Sequence, residues 1–321
     1  MSRIDVIVPC YQYGHFLREC VDSVLAQDGV QVRVLVIDDA SPDNTAEIAS
    51  ELAARDGRVL FRRHTVNHGH IATYNEGLAW ADSTYLLVLD ADDLLAPGAL
   101  LRGTRLMDAH PEVGLIHGHA FVTRDPATEI FTVGSEHPWR VLSGSAWIHG
   151  VCSRGMNPVF QATALVRTSL QRAVGGYRPE LPHAGDMEMW LRLAARGSVG
   201  IIDGEQACYR QHANNMSARY RGIPDLRQLR ECFEMFFSEC GHLLTDPQRL
   251  RQLALSRVAR RALRQSLKSV RRGEINAARE LLTFALPDGP FQLIPLTRDW
   301  LVHKLSRPAR SGPDVVAHAS Q

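Results

Sequence analysis

Tyr85-Leu86-Leu87-Val88-Leu89-Asp90-Ala91-Asp92-Asp93 is the stretch on which the fold turns. Its apolar run is of strand length and closes on three acids, as expected for a strand buried on both faces. In an open α/β sheet, ligands bind outside the carboxyl ends of the strands, which is where these acids fall. Upstream, Ile4–Val8, Val32–Ile37 and Val59–Arg62 are further runs of strand length. Between them Phe16, Leu17, Cys20, Val21, Val24 and Leu25 repeat at helical spacing. Ser41 to Arg55 reads as a helix capped by Ser41 or Asp43, and Ile71 to Trp80 as another. Downstream, a helix from Pro97 to Ala109 and a strand at Val113–His117 continue the alternation. Strand and helix in turn imply βαβ units, and so an α/β fold with a doubly wound, mostly parallel sheet.

From Thr123 to Pro158 the periodicity fades, and a functional loop is expected there. Helical patterns return at Arg167–Val174 and Met187–Arg196, with a short strand at Val199–Ile202. Beyond Pro224 the pattern is helical only, over Leu226–Cys240, Arg249–Val270 and Glu274–Leu286. The expected division is a main domain over 1–222, a C-terminal helical extension over 223–290 and a polar, partly disordered tail over 291–321.

A net charge of +1 gives no whole-molecule attraction to nucleic acid. The six cysteines form no C-x-x-C pair, which suits reduced thiols in a cytoplasmic protein. Ile4–Val8 is too short for a signal peptide and is stopped by Pro9, and no apolar run is long enough to span a bilayer. Charge is nonetheless uneven. Arg257, Arg260, Arg261, Arg264, Lys268, Arg271 and Arg272 crowd one helix beside the apolar stripe of Leu250, Leu253, Ala254, Val258, Leu263 and Leu267. That pattern fits either a solvated face of a packed helix or a peripheral contact with the inner face of a membrane.

The strand ends gather the chemistry. The first runs into Pro9, Cys10 and Tyr11, the second into Asp38 and Asp39, and the third leads to Asn67, His68 and Gly69. Three carboxylates within Asp90–Asp93 repel one another unless a cation sits among them, and oxygen ligands suit Mg²⁺ or Mn²⁺. The plainer reading is acids at a helix N-terminus. Asp39 either opens a turn or accepts hydrogen bonds from a base or ribose. Asp186 and Glu188 begin the helix that carries Trp190, where one of them can serve as a general base. Tyr209-Arg210-Gln211-His212, with Asn215 and Ser217, offers cationic and imidazole groups to a diphosphate or a metal. Trp139, Trp147 and His149, with His183, are candidates for an acceptor site, although core packing explains a tryptophan equally well.

Taken in order, these stretches resemble the family 2 glycosyltransferases, which have the GT-A fold. The matching residues are Val6-Ile7-Val8-Pro9-Cys10-Tyr11, Val36-Ile37-Asp38-Asp39-Ala40-Ser41, Asn67-His68-Gly69, Tyr74-Asn75-Glu76-Gly77, Leu89-Asp90-Ala91-Asp92-Asp93, Asp186 before Trp190-Leu191-Arg192-Leu193-Ala194, and Tyr209-Arg210-Gln211-His212. Any one is weak; the ordered set, over about residues 4 to 217, is specific.

The resemblance implies an inverting glycosyltransferase that takes its sugar from a nucleotide-diphosphate donor, UDP by default. It implies a saccharide or lipid-linked acceptor, as in cell-surface polysaccharide or glycolipid assembly. Pro9, Tyr11, Asp38, Asp39 and Asn67 would surround the nucleotide, and Asp92 and Arg210 the sugar diphosphate. Asp93, Asp92 and His212 would hold the Mg²⁺ or Mn²⁺, with Asp93 the more direct ligand, and Asp186 would be the catalytic base. Two departures stand out: Gln12 replaces the usual Asn, and Gly185-Asp186 lacks one acid of the usual pair. No oligomeric state is implied.

Competing readings lack their signatures. A processive synthase needs membrane-spanning helices and a Gln-x-x-Arg-Trp motif, a nucleotidyltransferase a basic glycine-rich loop after the first strand, and a dehydrogenase G-x-G-x-x-G there. A non-catalytic nucleotide-sugar sensor on the same fold remains the alternative class.

Overall fold

The computed structural model describes residues 1–124, 137–213, 215–216 and 220–286. Ser217, the tail from 291 and part of the expected loop therefore lie outside the described residues. Strand β1 (Arg3–Cys10) is buried from its second residue onward, as a strand covered on both faces must be. Its side chains alternate. Val6 and Val8 join one core with Leu17, Val21 and Val24 of α1 (Gly14–Leu25). Ile7 points to the other face, so close to α3 (His70–Trp80) that a Cβ on Gly77 would lie 2.2 Å from its Cγ2. Helices thus cover both faces of the sheet.

Around β1 lie β2 (Gln31–Asp38), β3 (Val59–Arg63) and β4 (Tyr85–Val88), all parallel, with α2 (Thr45–Arg55) between β2 and β3 in sequence. The chain then forms β5 (Leu94–Leu95), α4 (Ala99–Ala109), β6 (Val113–Thr123), β7 (Trp139–Leu142), α5 (Gly144–Arg154), β8 (Leu165–Arg167), α6 (Thr168–Val174), α7 (Gly185–Ala194) and β9 (Ser198–Arg210). The sheet order is β3-β2-β1-β4-β8-β6-β9-β5, with β7 also on β9. The two-residue β5 ties the acidic stretch to β9 through Leu94 opposite Cys208.

Two differences from the sequence reading have physical causes. Strand β9 runs thirteen residues, not four, because irregular pairing with β6 around His117–Ala120 carries the polar stretch Asp203–Gln206 within the ladder. The region expected to lack periodicity contains β7 and α5. Trp147, Ile148, Val151 and Cys152 form the buried face of that helix, among glycine and serine residues that dilute the pattern. Ser143 Oγ accepts from Ala146 N–H at its start, and Gly155, left-handed at φ 65°, ends it.

Two compact units comprise 1–258 and 259–321. The first extends past residue 222 because α8 (Ile223–Cys240) docks on α7 and the loop before it. Gln228 Oε1 accepts the N–H of His183 at 3.0 Å, and its Nε2 donates to Glu180 O at 3.3 Å. Helix α9 (Pro247–Arg271) runs into the second unit, where α10 (Ile275–Ala285) follows. All six cysteines are free and buried. Among the described residues, no helix is long and apolar enough to cross a membrane.

Candidate active site

The turns after β1 and β2 are held in costly conformations. Gln12 (φ 62°) and Ala40 (φ 59°) are left-handed without being glycine, and such strain collects where a binding site over-determines the backbone. Cross-bonds hold them there: Gln12 N–H donates to Ser41 Oγ at 2.9 Å, and Asp39 N–H to Cys10 O at 2.9 Å. Tyr11 stands 43% exposed, and Pro9 before it is buried. Asp39 organises the next loop. Its Oδ1 accepts from His68 N–H and faces His64 Nδ1, both at 2.7 Å, and its Oδ2 accepts from Gly69 N–H at 2.8 Å. Burial alone would raise this carboxyl, but these donors hold it below the usual range. Asn67 braces the same loop by donating to Asp39 O at 3.1 Å.

Beyond β4, each acid meets a different element. Asp90 Oδ1 accepts the Tyr74 hydroxyl at 2.7 Å. Asp92 Oδ2 faces His212 Nε2 at 2.9 Å and accepts Asn215 Nδ2 at 3.3 Å. Asp93 Oδ1 accepts the backbone N–H of Arg210 at 3.1 Å. Arg210 in turn donates to Asp92 O at 3.0 Å and to Glu19 at 2.6 Å, with its guanidinium 4.4 Å from the Phe16 ring. Burial, reinforced by the charge of Asp92, pushes the Asp90 carboxyl up to about 7 and that of Asp93 well above the carboxylate range.

Asp186 enters from α7. Asn157 Nδ2 donates to its Oδ2 at 2.7 Å, and Met187 N–H to its Oδ1 at 2.6 Å. Burial pushes its carboxyl up to about 6, against the lowering effect of Met187, His183 and Asn157. Its charge adds to the upward shift of Asp90, and the Tyr177 phenol is raised by burial and then by both acids. Tyr177 packs edge-on against Tyr74, the ring that bonds Asp90, with centroids 5.2 Å apart. The acidic stretch and Asp186 therefore share one neighbourhood, joined by two tyrosines.

The family model described as Glycosyl transferase family 2 matches residues 5–135, and that of Glycosyl transferase family group 2 matches residues 85–284. The chain is a family 2 glycosyltransferase. It is 29% identical over 224 residues to an uncharacterized protein of Mycobacterium tuberculosis, covering 67% of this chain and 69% of that one. The crystal structure of S. aureus TarS in complex with UDP-GlcNAc matches at a TM-score of 0.59 and 18% identity, over 87% of this chain and 90% of that one. The mannosyltransferase PcManGT from Pyrobaculum calidifontis, in complex with GDP-Man and Mn²⁺, matches at 0.54 and 18%, over 96% and 82%. These likenesses show the GT-A fold.

In this glycosyltransferase, four of the residues singled out from sequence stand elsewhere. Asp38 is wholly buried, with Oδ1 accepting Ser41 N–H at 2.9 Å and Oδ2 3.2 Å from Arg63 Nε, so its side chain braces the turn. Glu188 is wholly buried against Arg192 and is no alternative base. Trp139 pairs with Ile202, far along β9 from Arg210, and packs on His110. Trp147 is a core residue that donates to His117 at 3.2 Å. Conversely, Asn157, Gln161 and Glu19 reach the site groups unforeseen. Asn157-Pro158 carries only a turn signal, and a polar residue on a helix gives no sign of its partner.

Proposed function

We propose that this glycosyltransferase moves a sugar from a nucleotide-diphosphate donor, a UDP-sugar favoured, to a hydroxyl acceptor with inversion at the anomeric carbon. The observation that carries this is the placing of Asp186, with its raised carboxyl, beside the acid cluster but on a separate element. Single displacement needs a base and a leaving group on opposite faces of the sugar. Asp186 would take the acceptor proton, and Asn157 would keep its carboxylate aimed. Tyr11 would flank the nucleotide base, and Asp39, three of whose acceptor positions are filled, would offer its remaining one to a base or ribose. Arg210 would meet the diphosphate. A saccharide or lipid-linked acceptor, as in cell-surface polysaccharide or glycolipid assembly, fits the same reading.

The donor set suits Mg²⁺ or Mn²⁺. Asp92 and Asp93 supply carboxylate oxygens and His212 an imidazole nitrogen, and a cation among these acids would offset the repulsion that, with burial, raises the Asp90 and Asp93 carboxyls. No three His, Cys, Asp or Glu side chains among the described residues already stand in a metal-holding arrangement. One or two protein ligands, with phosphate oxygens and water completing the shell, are the usual pattern for Mg²⁺. Bound there, the cation would offset charge on the departing diphosphate.

Thermal-shift screening of UDP- and GDP-sugars with and without Mn²⁺ tests the donor. Ligand at a hundred times its Kd stabilises by about 2.7 kcal/mol, so one donor should stand out, and Asp93→Ala should remove the metal-dependent part of its shift. A parent protein that binds its donor equally well without metal would take that role from Asp93.

A further inference from the structure

We propose that the second unit docks on an anionic lipid surface through the outward face of α9 and the start of α10. Ala262, Ser266 and Ser269 of α9 are buried, and Ser266 Oγ donates to Ala278 O of α10 at 2.8 Å. At helical spacing, Arg264, Leu267, Lys268 and Arg271 point the other way. Leu267 is 62% exposed, Val270 52% and Ile275 61%. Large aliphatic side chains and cations thus stand exposed together over the last turns of α9 and the start of α10.

Charge decides what covers this strip. From Pro247 to Gly273 there is no acidic residue. In the first unit the basic side of α9 is partnered, with Arg251 donating from Nε and Nη2 to the two Glu234 carboxylate oxygens, at 2.6 and 2.7 Å. In the second unit Arg264, Lys268, Arg271 and Arg272 make no ion pair with any described residue. Glu274 is their one acidic neighbour in sequence, and it is turned onto Ser269 Oγ at 3.0 Å. A second copy of this chain would bring the same positive strip against itself. A nucleic acid would satisfy the cations but leave Leu267, Val270 and Ile275 in water. A negatively charged bilayer satisfies both, taking the aliphatic groups into the headgroup boundary and pairing the cations with phosphates. The inference is independent of the donor and base assignments.

Co-sedimentation of the full chain with phosphatidylcholine vesicles, with and without about one-third phosphatidylglycerol, tests it. Binding is expected only to the anionic vesicles and is expected to weaken with salt. Each cation near such a surface contributes about a fivefold gain in partitioning, so Lys268→Gln/Arg271→Gln should cost roughly 25-fold. Leu267→Asn/Val270→Asn should also release the protein, although net charge is unchanged. Both variants alter exposed side chains outside the active site, so donor turnover in vesicle-free buffer should match the parent. Failure of the parent to sediment with anionic vesicles would overturn the proposal. So would a variant that still sediments fully, a self-association abolished by Leu267→Asn/Val270→Asn, or RNA binding that outcompetes the vesicles.

Discussion

Asp186→Asn should lower sugar transfer by about 10²–10⁴-fold while leaving nucleotide binding nearly intact. Asparagine keeps the shape and can still hydrogen-bond Asn157, but it cannot take a proton. Nucleotide contacts assigned to Tyr11, Asp39 and Arg210 come from other elements, so donor affinity measured calorimetrically should barely move. The pH profile sharpens the test. Burial pushes the Asp186 carboxyl up to about 6, so the parent rate should be flat above neutrality and fall tenfold per unit below about pH 6, as the base is lost to protonation. The residual activity of Asp186→Asn should lack that limb. A variant turning over near the parent rate would remove Asp186 from the mechanism.

Arg192→Met should destabilise the first unit by about 3–5 kcal/mol, a fall in Tm on the order of 10 °C. Arg192 is among the largest fully buried side chains, and Glu188 beneath it has no exposure. Its Nε bonds both Glu188 oxygens at 2.7 and 2.8 Å, and its two terminal nitrogens donate to Val174 O at 2.5 Å and Gly176 O at 2.7 Å. Methionine fills much of the volume but leaves a buried carboxylate without its cation. Replacing both partners by apolar residues should recover much of the loss, because no uncompensated charge then remains. The pair also reaches the site. The backbone it holds leads directly to Tyr177, whose N–H and C=O are clamped by the Asn75 amide at 2.7 and 2.9 Å. Gly176 allows this approach, since a Cβ there would sit 2.4 Å from Asn75 Oδ1. A single variant as stable as the parent would show that the pair carries no such burden.

The parallel half of the sheet was legible because β1, β2 and β4 are buried on both faces and print as unbroken apolar runs. Strand β9 was not, since half of it carries polar residues kept in place only by pairing with β6. Helix α5 hid for the opposite reason: its buried face is ordinary, but glycine and serine residues dilute the pattern that would reveal it. At the site, strand-end position pointed to Asp92 and Asp93, a helix start to Asp186, and residue type to Arg210. They did not separate Asp38 from Asp39, which are adjacent in sequence but hold different loops. Nor did they disclose Asn157, whose contact with Asp186 spans 29 residues.

Slow hydrolysis of the donor needs no acceptor, and the anomer of the sugar it first releases can be read by NMR before mutarotation. With Asp186 activating the attacking water from the face opposite the diphosphate, the released sugar should carry the configuration opposite to that of the donor. Release with the donor's own configuration would contradict a single displacement, and with it the role given to Asp186.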